Sequence, residues 1–371
     1  MTELFNGEIK SWCSNIEETA LGQIKNVSEF PFLHNYAALM PDCHTGFGVP
    51  IGIIFPTRDV IIPNAVGVDI ACGMSAIKLN ITYNKDSELY KAIMSDIRRL
   101  IPVGFDHHKR VQQWDGFDEA PDIKIIQDEL QTAKKSLGTL GGGNHFIEIQ
   151  KDKDDYIWVM VHSGSRNFGY RIAEYYDKLA RQTSNYGHDL NYLYLDSKDG
   201  QEYKSAIDYA SRFSYANREL MMKRIIEAFN KQIPVQVLET YNIHHNYAVV
   251  EDNIILHRKG ATSANLNEYG IIPGSQGTCS YIVKGKGNPL SYNSCSHGAG
   301  RVMSRTKAKE TLNLDDEIKL LDDKGIIHAI RNKKDLEESP NAYKNIEDVM
   351  NEQVDLVEIV HKLDPIAVIK G

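Results

Sequence analysis

The sequence predicts an α+β protein in which mixed sheets carry a helical insertion at about residues 170–232. Short apolar runs between glycine- and asparagine-rich loops occur on both sides of this stretch, and such runs are typical of buried strands. The stretch itself has apolar residues at helical spacing. Because loops with reactive side chains occur both before and after it, we expect a single domain over residues 1–371 that includes this helical subdomain.

The predicted elements follow the apolar runs in chain order. The first 35 residues have weak periodicity and predict one or two surface helices. Strands are expected at Ile51 to Phe55, Val60 to Ile62, Ser75 to Leu79, Tyr156 to Val161 and Ile366 to Ile369. Further helices are expected at about Ser87 to Arg99, Ile123 to Leu137 and Ile346 to Lys362. The glycine-rich segment from Met40 to Gly52 predicts a loop.

One long apolar stripe marks the helical insertion. Its members recur at helical spacing and are Ala206, Tyr209, Phe213, Ala216, Leu220, Ile225 and Phe229. A stripe of this width is typical of a helix that packs on a core. We therefore expect it to be structural.

Composition excludes several classes of protein. The hydrophobic share of 42% and the charged share of 25% are those of a globular protein. No apolar run reaches the roughly 18 residues of a membrane span, and the first residues do not form a signal peptide, so we expect a cytoplasmic protein. The five cysteines are odd in number and scattered, which favours a reducing compartment over a disulfide scaffold.

The net charge of −8 argues against a broad, non-specific binder of nucleic acids. An enzyme that grips only the end of a strand needs no more than a local basic lining. Candidates for such a lining are His257 to Gly260, Lys284 to Lys286, and Arg301 with Arg305, Lys307 and Lys309, although clusters of this kind are more often solvated surface.

Two glycine-rich loops, Gly274 to Gly277 and His297 to Arg301, point to phosphate chemistry. Glycines cost backbone entropy on folding, so two such loops imply that something must approach the backbone closely. Backbone N–H groups and an arginine can bind phosphate oxygens, and an uncharged imidazole can act as a nucleophile. The pattern predicts that His297 attacks a phosphorus atom.

Five further residues are candidate metal ligands: Asp69, Cys72, His145, His162 and His245. A single cysteine or histidine is more often a buried structural residue than a ligand. Here the histidines border glycine, asparagine or serine loops instead of lying on apolar helix faces. A mixture of imidazole, thiolate and carboxylate suits Mn, Zn, Co or Ni better than Mg or Ca. A shared thiolate could hold two ions close together, as in two-metal phosphoryl transfer.

The ordered motifs of this chain resemble those of the RtcB family of RNA-splicing ligases. The resemblance covers nearly the whole chain, and its motifs are Pro41 to His44, Val66 to Met74, Leu140 to Glu148, His162 to Arg166, His244 to Tyr247, Arg258 to Ala261, Pro273 to Gly277, Ser296 to Arg301, Ala342 to Lys344 and Lys370-Gly371.

This resemblance implies an α+β catalytic domain that joins an RNA 3′-phosphate or 2′,3′-cyclic phosphate to a 5′-hydroxyl. GTP and two Mn²⁺ ions would be the cofactors, and His297 would carry GMP as a guanylyl-histidine. GMP would then pass to the RNA 3′ end before the 5′-hydroxyl displaces it. The RNA would be tRNA or damaged RNA, and a helper protein for turnover is compatible with this scheme.

The same resemblance implies the roles of individual residues. One ion would be held by Asp69, Cys72 and His145, and the other by Cys72, His162 and His245. Nucleotide contacts would come from Asn144, Phe146, Glu148, His245, Asn246, Pro273, Gly274, Ser275, Gln276, Gly277, Ser280, His297, Gly298, Ala299, Gly300, Tyr343 and Lys370.

Three functional hypotheses follow from the sequence. The first is this ligase in RNA repair or tRNA splicing, or a specialised repair paralogue, since the stretches 162–241 and 305–343 are compact for the family. The second is a dinuclear phosphoesterase, which would need the metal ligands but not Tyr343 or Lys370. The third is a non-catalytic RNA-binding module, which the acidic net charge disfavours.

Overall fold

The computed structural model describes residues 1–371 as an α+β fold, as predicted. The strands are β1 (Thr2–Leu4), β2 (Ile9–Ser11), β3 (Ala37–His44), β4 (Ile51–Arg58), β5 (Val60–Ile61), β6 (Gly73–Thr82), β7 (Phe146–Lys151), β8 (Tyr156–Ser163), β9 (Leu193–Tyr194), β10 (Val237–His244), β11 (Asn246–Glu251), β12 (Ile254–Lys259), β13 (Ala261–Ser263), β14 (Tyr269–Ile272), β15 (Ser280–Gly285), β16 (Ser294–Ser296) and β17 (Val357–Lys370).

Nine α-helices accompany these strands. They are α1 (Glu18–Ser28), α2 (Pro63–Val66), α3 (Ser87–Leu100), α4 (Lys124–Ser136), α5 (Arg166–Thr183), α6 (Lys198–Gln232), α7 (Arg305–Thr311), α8 (Leu314–Asp323) and α9 (Ile346–Asn351). None of them is long and apolar enough to cross a membrane.

Two large sheets form the frame. The first has the order β1-β2-β3-β4-β12-β11 and is mixed, because β2 and β3 run parallel. The second has the order β10-β6-β8-β7-β17-β15-β14 and is antiparallel throughout. Because β10, β6, β8 and β7 are neighbours, the loops and strand ends at one end of this sheet come together, and they carry the five predicted metal ligands.

The helical insertion consists of α5, the short strand β9 and α6. Six members of the predicted stripe are buried, and Leu220 is half-buried against the same core, so the structural interpretation is confirmed. The 35-residue helix α6 packs against α3, α5, β6 and β8, and therefore reaches the back of the antiparallel sheet. That the chain is a single domain stays a prediction.

The first 35 residues hold one helix, α1, which agrees with the predicted one or two, and they also contain the strands β1 and β2. Two predicted elements differ from the structure. The segment predicted as a loop from Met40 contains most of β3, whose eight residues are all buried, with an irregular register between Leu39 and His44. The helix predicted to reach Lys362 ends at Asn351, and β17 begins at Val357 because pairing with β15 and β7 overrides local helical spacing.

Candidate functional site

The five predicted metal ligands converge at one buried point. Asp69 and Cys72 lie in the turn between α2 and β6, while His145 precedes β7, His162 is on β8 and His245 joins β10 to β11. Because these strands pair antiparallel, all five side chains lie at the same end of the sheet, where the neighbouring strands begin or stop. The sequence separates Asp69 from His245 widely, and the sheet brings them together.

The distances within this cluster suit a shared cation. The Cys72 Sγ atom lies 3.2 Å from His145 Nε2 and 3.1 Å from His162 Nε2. His162 Nε2 is 3.3 Å from His245 Nε2, and His145 Nε2 is 3.0 Å from Asp69 Oδ2. The ligand atoms of Cys72, His145 and His162 all lie within 4.8 Å of one another, so this group could hold a metal ion, with Asp69 and His245 beside it.

The protonation states of the histidines agree with a role as metal ligands. Burial lowers the pKa of His162 and of His245 well below the ordinary 6.5, so both rings are neutral. His162 Nδ1 donates to the Asn144 carbonyl at 3.1 Å, which leaves Nε2 with its lone pair towards the cluster. Burial, together with the charge of Asp69, raises the pKa of Cys72, so the metal-free thiol keeps its proton; a thiolate ligand would form only as a bound cation displaced that proton.

Two glycines in the predicted motifs allow this crowding. A Cβ atom at Gly164 would lie 2.3 Å from Asp69 Oδ1, and one at Gly141 would lie 1.7 Å from His145 Nδ1. Any larger residue at either position would push a candidate ligand out of place. These glycines therefore serve close approach rather than backbone flexibility.

Helix α6 fixes the ligand loops from behind. The side chain of Arg218 is fully buried and donates to the carbonyl oxygens of Ala71 at 3.3 Å and Ser163 at 3.0 Å, each beside a candidate ligand. Arg218 also contacts His244 Nδ1 at 3.0 Å. Its neighbour Asn217 donates to the carbonyl oxygen of Gly164. The helical insertion thus positions the site in addition to contributing to the core.

His297 is held in one orientation by Asp42. The Nδ1 atom of His297 donates to Asp42 Oδ2 at 2.6 Å, and the same oxygen accepts from the backbone N–H groups of His297 and Gly298. This contact occupies Nδ1 and leaves the lone pair on Nε2. The His297 ring lies 4.8 Å, centroid to centroid, from the ring of His245, so the candidate nucleophile borders the candidate metal cluster.

A pocket of about 300 Å³ opens in front of His297. It is lined by His44, Thr45, Ile51, Asn144, Phe146, Glu148, His162, Pro273, Gly274, Ser275, Gln276, His297, Gly298, Ala299, Gly300, Arg301, Arg305, Tyr343, Val368 and Lys370. The two glycine-rich loops thus form one wall, and the carboxyl end of the chain forms another. Pockets of roughly this size hold small-molecule ligands.

At one side of the pocket lies Glu148, a buried carboxyl group. Burial raises the pKa of Glu148 to about 8. Its Oε2 atom accepts from Gln150 Nε2 at 2.6 Å, whereas Oε1 has no hydrogen-bond partner. An unpartnered buried oxygen beside a pocket can recognise a donor on a ligand.

A second buried acidic residue, Glu338, gathers the basic side chains of the pocket. Its Oε1 atom lies 3.2 Å from Arg301 and 3.0 Å from Arg305, and Oε2 accepts from the Tyr343 hydroxyl and lies 3.9 Å from Lys370. Burial alone would raise the pKa of Glu338, but the surrounding cations outweigh it and the pKa lies below the ordinary value. One carboxylate therefore holds four pocket residues in place.

Comparison with known proteins gives the family. The family described as tRNA-splicing ligase RtcB matches residues 23–120 and 113–371 of this chain. The chain belongs to the RtcB family.

Relatives with RtcB names match it over most of their length. The RNA-splicing ligase RtcB of Escherichia coli is 37% identical over 406 aligned residues, which cover 99% of this chain and 98% of the relative. The tRNA-splicing ligases RtcB of Nanoarchaeum equitans and Thermococcus kodakarensis are 31% and 28% identical, each over 96% of this chain and 92% of the relative.

Most of the predicted nucleotide residues of this RtcB family member line the pocket, but four do not. His245 lies in the metal cluster, and Asn246 donates to the Asp69 carbonyl and accepts from the Gly260 N–H group. Gly277 packs against Pro340, and the Ser280 hydroxyl accepts from the Gly274 N–H group at 3.2 Å. In this structure these residues support the loops and the cluster.

Sequence reasoning assigned no role to four residues that shape the RtcB site. Asp42 lies in the motif Pro41 to His44, and a carboxylate two residues before His44 was the available signal. In the sequence, Arg218 and Asn217 are simply polar residues of a predicted helix. Glu338 likewise has no sequence feature that indicates a role. Their importance arises from contacts with residues that are distant along the chain.

Proposed function

We propose that this protein is an RNA ligase that joins a 3′-phosphate or 2′,3′-cyclic phosphate end to a 5′-hydroxyl end with GTP and Mn²⁺. It acts in RNA repair or tRNA splicing, and a specialised repair paralogue is consistent with its compact length. The observation that carries the proposal is the position of His297, which is oriented by Asp42 and lies between a nucleotide-sized pocket and a cluster of metal-binding side chains.

The first step uses the free nitrogen of His297. Nε2 attacks the α-phosphorus of GTP, the bond to the bridging oxygen breaks, and pyrophosphate leaves. Asp42 keeps the proton on Nδ1 and stabilises the positive charge that the ring gains. The product is a guanylyl-histidine.

The metal ligands support this step from one side of the pocket. We assign Asp69, Cys72 and His145 to one Mn²⁺ ion, and Cys72, His162 and His245 to a second. The bound ions would supply positive charge that stabilises the phosphate oxygens in the transition state. The contacts of Cys72 Sγ with two imidazoles support a shared position for the thiolate.

Other residues of the pocket have the chemistry to select guanine. Glu148 offers an unpartnered oxygen to a guanine N–H group or a ribose hydroxyl, and Lys370 offers a donor to O6 or N7. Tyr343 presents its ring to the pocket, and the Arg301 guanidinium, 5.0 Å from the ring centroid, supports it.

Two further steps complete the reaction. An oxygen of the RNA 3′-phosphate attacks the phosphorus of the bound GMP and releases His297. The RNA 5′-hydroxyl then attacks the activated 3′-phosphate, and GMP leaves. A cyclic phosphate is first opened by water. A helper protein would assist turnover.

Labelling with GTP tests the proposal. The protein is incubated with α-³²P-GTP and Mn²⁺, and we expect acid-labile, alkali-stable label on wild type and on His188→Ala, an exposed histidine outside the site. His297→Ala should take none. Absence of label on wild type with every divalent ion tried would overturn the nucleotidyl-transfer step.

A metal-dependent phosphoesterase is the second candidate, because the metal cluster is complete without the guanine end of the pocket. Such an enzyme would open cyclic phosphates without GTP and would tolerate Lys370→Ala. Ligation that depends on GTP, and that is weakened in Lys370→Ala at limiting GTP while opening of the cyclic end is unchanged, favours the ligase.

A further inference from the structure

An exposed aromatic ring lies beside the candidate metal site and has no part in the proposed reaction. The side chain of Phe105 is 100% exposed. It is at the tip of a tight turn, which the Asp106 N–H closes by donating to the Val103 carbonyl at 3.2 Å, with Gly104 at φ +65°. A single exposed apolar side chain is ordinary in itself, so the surroundings of this ring decide its meaning.

The turn is fixed against the glycine loop, residues 141–144, which leads into the candidate ligand His145. The Leu140 N–H donates to the Pro102 carbonyl at 2.9 Å, and Val103 forms a parallel bridge with Leu140. The backbone on both sides of this contact is therefore paired, and the turn has a defined place next to the glycine loop.

Arg166 ties the turn to the metal cluster. Its Nη2 atom donates to the Gly104 carbonyl at 2.5 Å, and its Nε atom donates to the Thr139 hydroxyl oxygen at 2.9 Å. A Cβ atom at Gly141 would lie 2.5 Å from Arg166 Nη1 and 1.7 Å from His145 Nδ1. One glycine thus separates the arginine that holds the turn from a candidate ligand, and the turn presents its ring to solvent close to the cluster.

The surroundings of the ring are basic, although the chain as a whole has a net charge of −8. Three exposed basic side chains follow or neighbour the turn: Lys109, Arg110 and Lys135. Lys135 is brought there because its carbonyl accepts from the His108 N–H at 3.0 Å. Asp106 is the exposed acidic residue of the turn itself. An aromatic ring next to several cations is the combination that binds single-stranded nucleic acids through their bases and phosphates.

We propose that this turn binds the single-stranded RNA next to the reacting end, an inference that rests on the proposed function because it requires an RNA end at the metal cluster. One base stacks on the Phe105 ring, and the phosphates of the same strand lie against Lys109, Arg110 and Lys135. Stacking of this kind needs an unpaired base, so a duplex that continues to its last base pair is a poor occupant.

The charge pattern favours RNA over a protein partner. Every residue between Phe105 and Val111 is charged or a histidine, so the ring is not part of a contiguous apolar patch. The core of a protein interface is usually such a patch and is depleted in charged residues. Phosphates complement the cations at this turn, and a base complements the ring.

RNA binding without GTP is the first measurement. Fluorescence anisotropy of a short labelled RNA with a 3′-phosphate gives the Kd, and Phe105→Ala should raise it about ten-fold because one stacking contact is lost. Phe105→Trp should restore the affinity of wild type. Leu266→Ala, which changes an apolar side chain that is 70% exposed between β13 and β14, is the matched control and should bind like wild type. Equal Kd values for wild type and Phe105→Ala would overturn the proposal.

Salt dependence separates the cations from the ring. Each of Lys109→Ala, Arg110→Ala and Lys135→Ala should reduce the slope of log Kd against log salt concentration by about 0.7, because one phosphate contact is lost. Phe105→Ala should weaken binding with the slope of wild type. A wild-type slope in all three lysine and arginine variants would refute the phosphate contacts.

Fluorescence of Phe105→Trp tests whether a base reaches the ring. RNA should quench the added tryptophan, and an RNA with an abasic nucleotide at the stacked position should quench it less at saturation. Leu266→Trp should be insensitive to both. Equal quenching by every abasic RNA in a series that moves the gap along the strand would overturn the stacking contact.

The joining reaction separates this inference from the proposed function. In Phe105→Ala, kcat/KM for RNA should fall about ten-fold, in line with the loss of affinity. A wild type that binds RNA through Phe105 but takes no label from GTP would refute the proposed function and leave the RNA contact in place. A wild type that labels and joins RNA, with an equal kcat/KM in Phe105→Ala, would overturn this inference alone.

Discussion

The Nδ1 atom of His297 lies 2.6 Å from Oδ2 of Asp42, a residue 255 positions earlier in the chain. The carboxylate is fully buried and receives two backbone N–H groups on the same oxygen, so its position is set by β3 and by the loop of His297 together. The contact determines which ring nitrogen is free to react.

Asp42→Asn should therefore slow guanylylation more than it harms folding. An amide can still accept from Nδ1 but carries no charge to stabilise the positive ring, and comparable changes at catalytic histidines cost on the order of 100-fold or more. Single-turnover labelling with GTP measures the rate, and Asp128→Asn, on the exposed face of α4, is the matched control. An unchanged rate would mean that Asp42 does not orient the nucleophile.

Cys72→Ala should abolish metal binding, the guanylylation of His297 and the joining of RNA ends. Because Cys72 Sγ contacts two of the three clustered imidazoles, its removal would impair both proposed ion positions, and we expect metal affinity to fall by more than about 100-fold. Elemental analysis after dialysis against Mn²⁺ measures occupancy, and Cys295→Ala, buried elsewhere, serves for comparison. Near-normal activity with Mn²⁺ in Cys72→Ala would contradict the shared ligand.

Glu148→Gln should change the pH dependence of stability. The pKa of Glu148 is raised from 4.5 to about 8 in the folded protein, so its protonated form is favoured. The stability that it contributes is complete below pH 4.5 and is lost as the pH rises towards 8, by up to a few kcal/mol.

Glutamine resembles the protonated acid and does not titrate. The free energy of unfolding of wild type should therefore fall relative to Glu148→Gln between pH 4.5 and 8. Urea unfolding without nucleotide or metal at several pH values measures the difference. Parallel pH curves would show that the carboxyl group is not buried as described.

Lys370→Ala should weaken selection of GTP while leaving the metal cluster intact. Lys370 Nζ lies 5.2 Å from the centroid of the Phe146 ring, and the residue lines the pocket. Loss of one contact to guanine should raise the KM for GTP about ten-fold. The preference for GTP over ATP, measured as the ratio of their kcat/KM values, should become smaller. Lys362→Ala, on the exposed part of β17, should change neither value. Unaltered selectivity in Lys370→Ala would remove Lys370 from guanine recognition.

Arg218→Met should destabilise the protein and weaken metal binding, because Arg218 holds the loops that carry the candidate ligands. The guanidinium is fully buried and donates to two carbonyls beside candidate ligands, so its loss leaves these acceptors without partners and should cost about 2 to 4 kcal/mol. Thermal unfolding measures the loss, and Mn²⁺ titration should show weaker binding. Arg212→Met, on the exposed side of α6, should affect metal binding little.

The sequence by itself determined the α+β class, the helical insertion and the family resemblance, and it supplied the side chains to which we assign the chemistry, because these depend on residue type and local spacing. It misassigned β3 and the start of β17, since strand pairing is a contact between distant segments. Only the tertiary structure decided which ring nitrogen of His297 is free and that Arg218 holds the ligand loops. Both depend on hydrogen bonds across the fold, which no local pattern records.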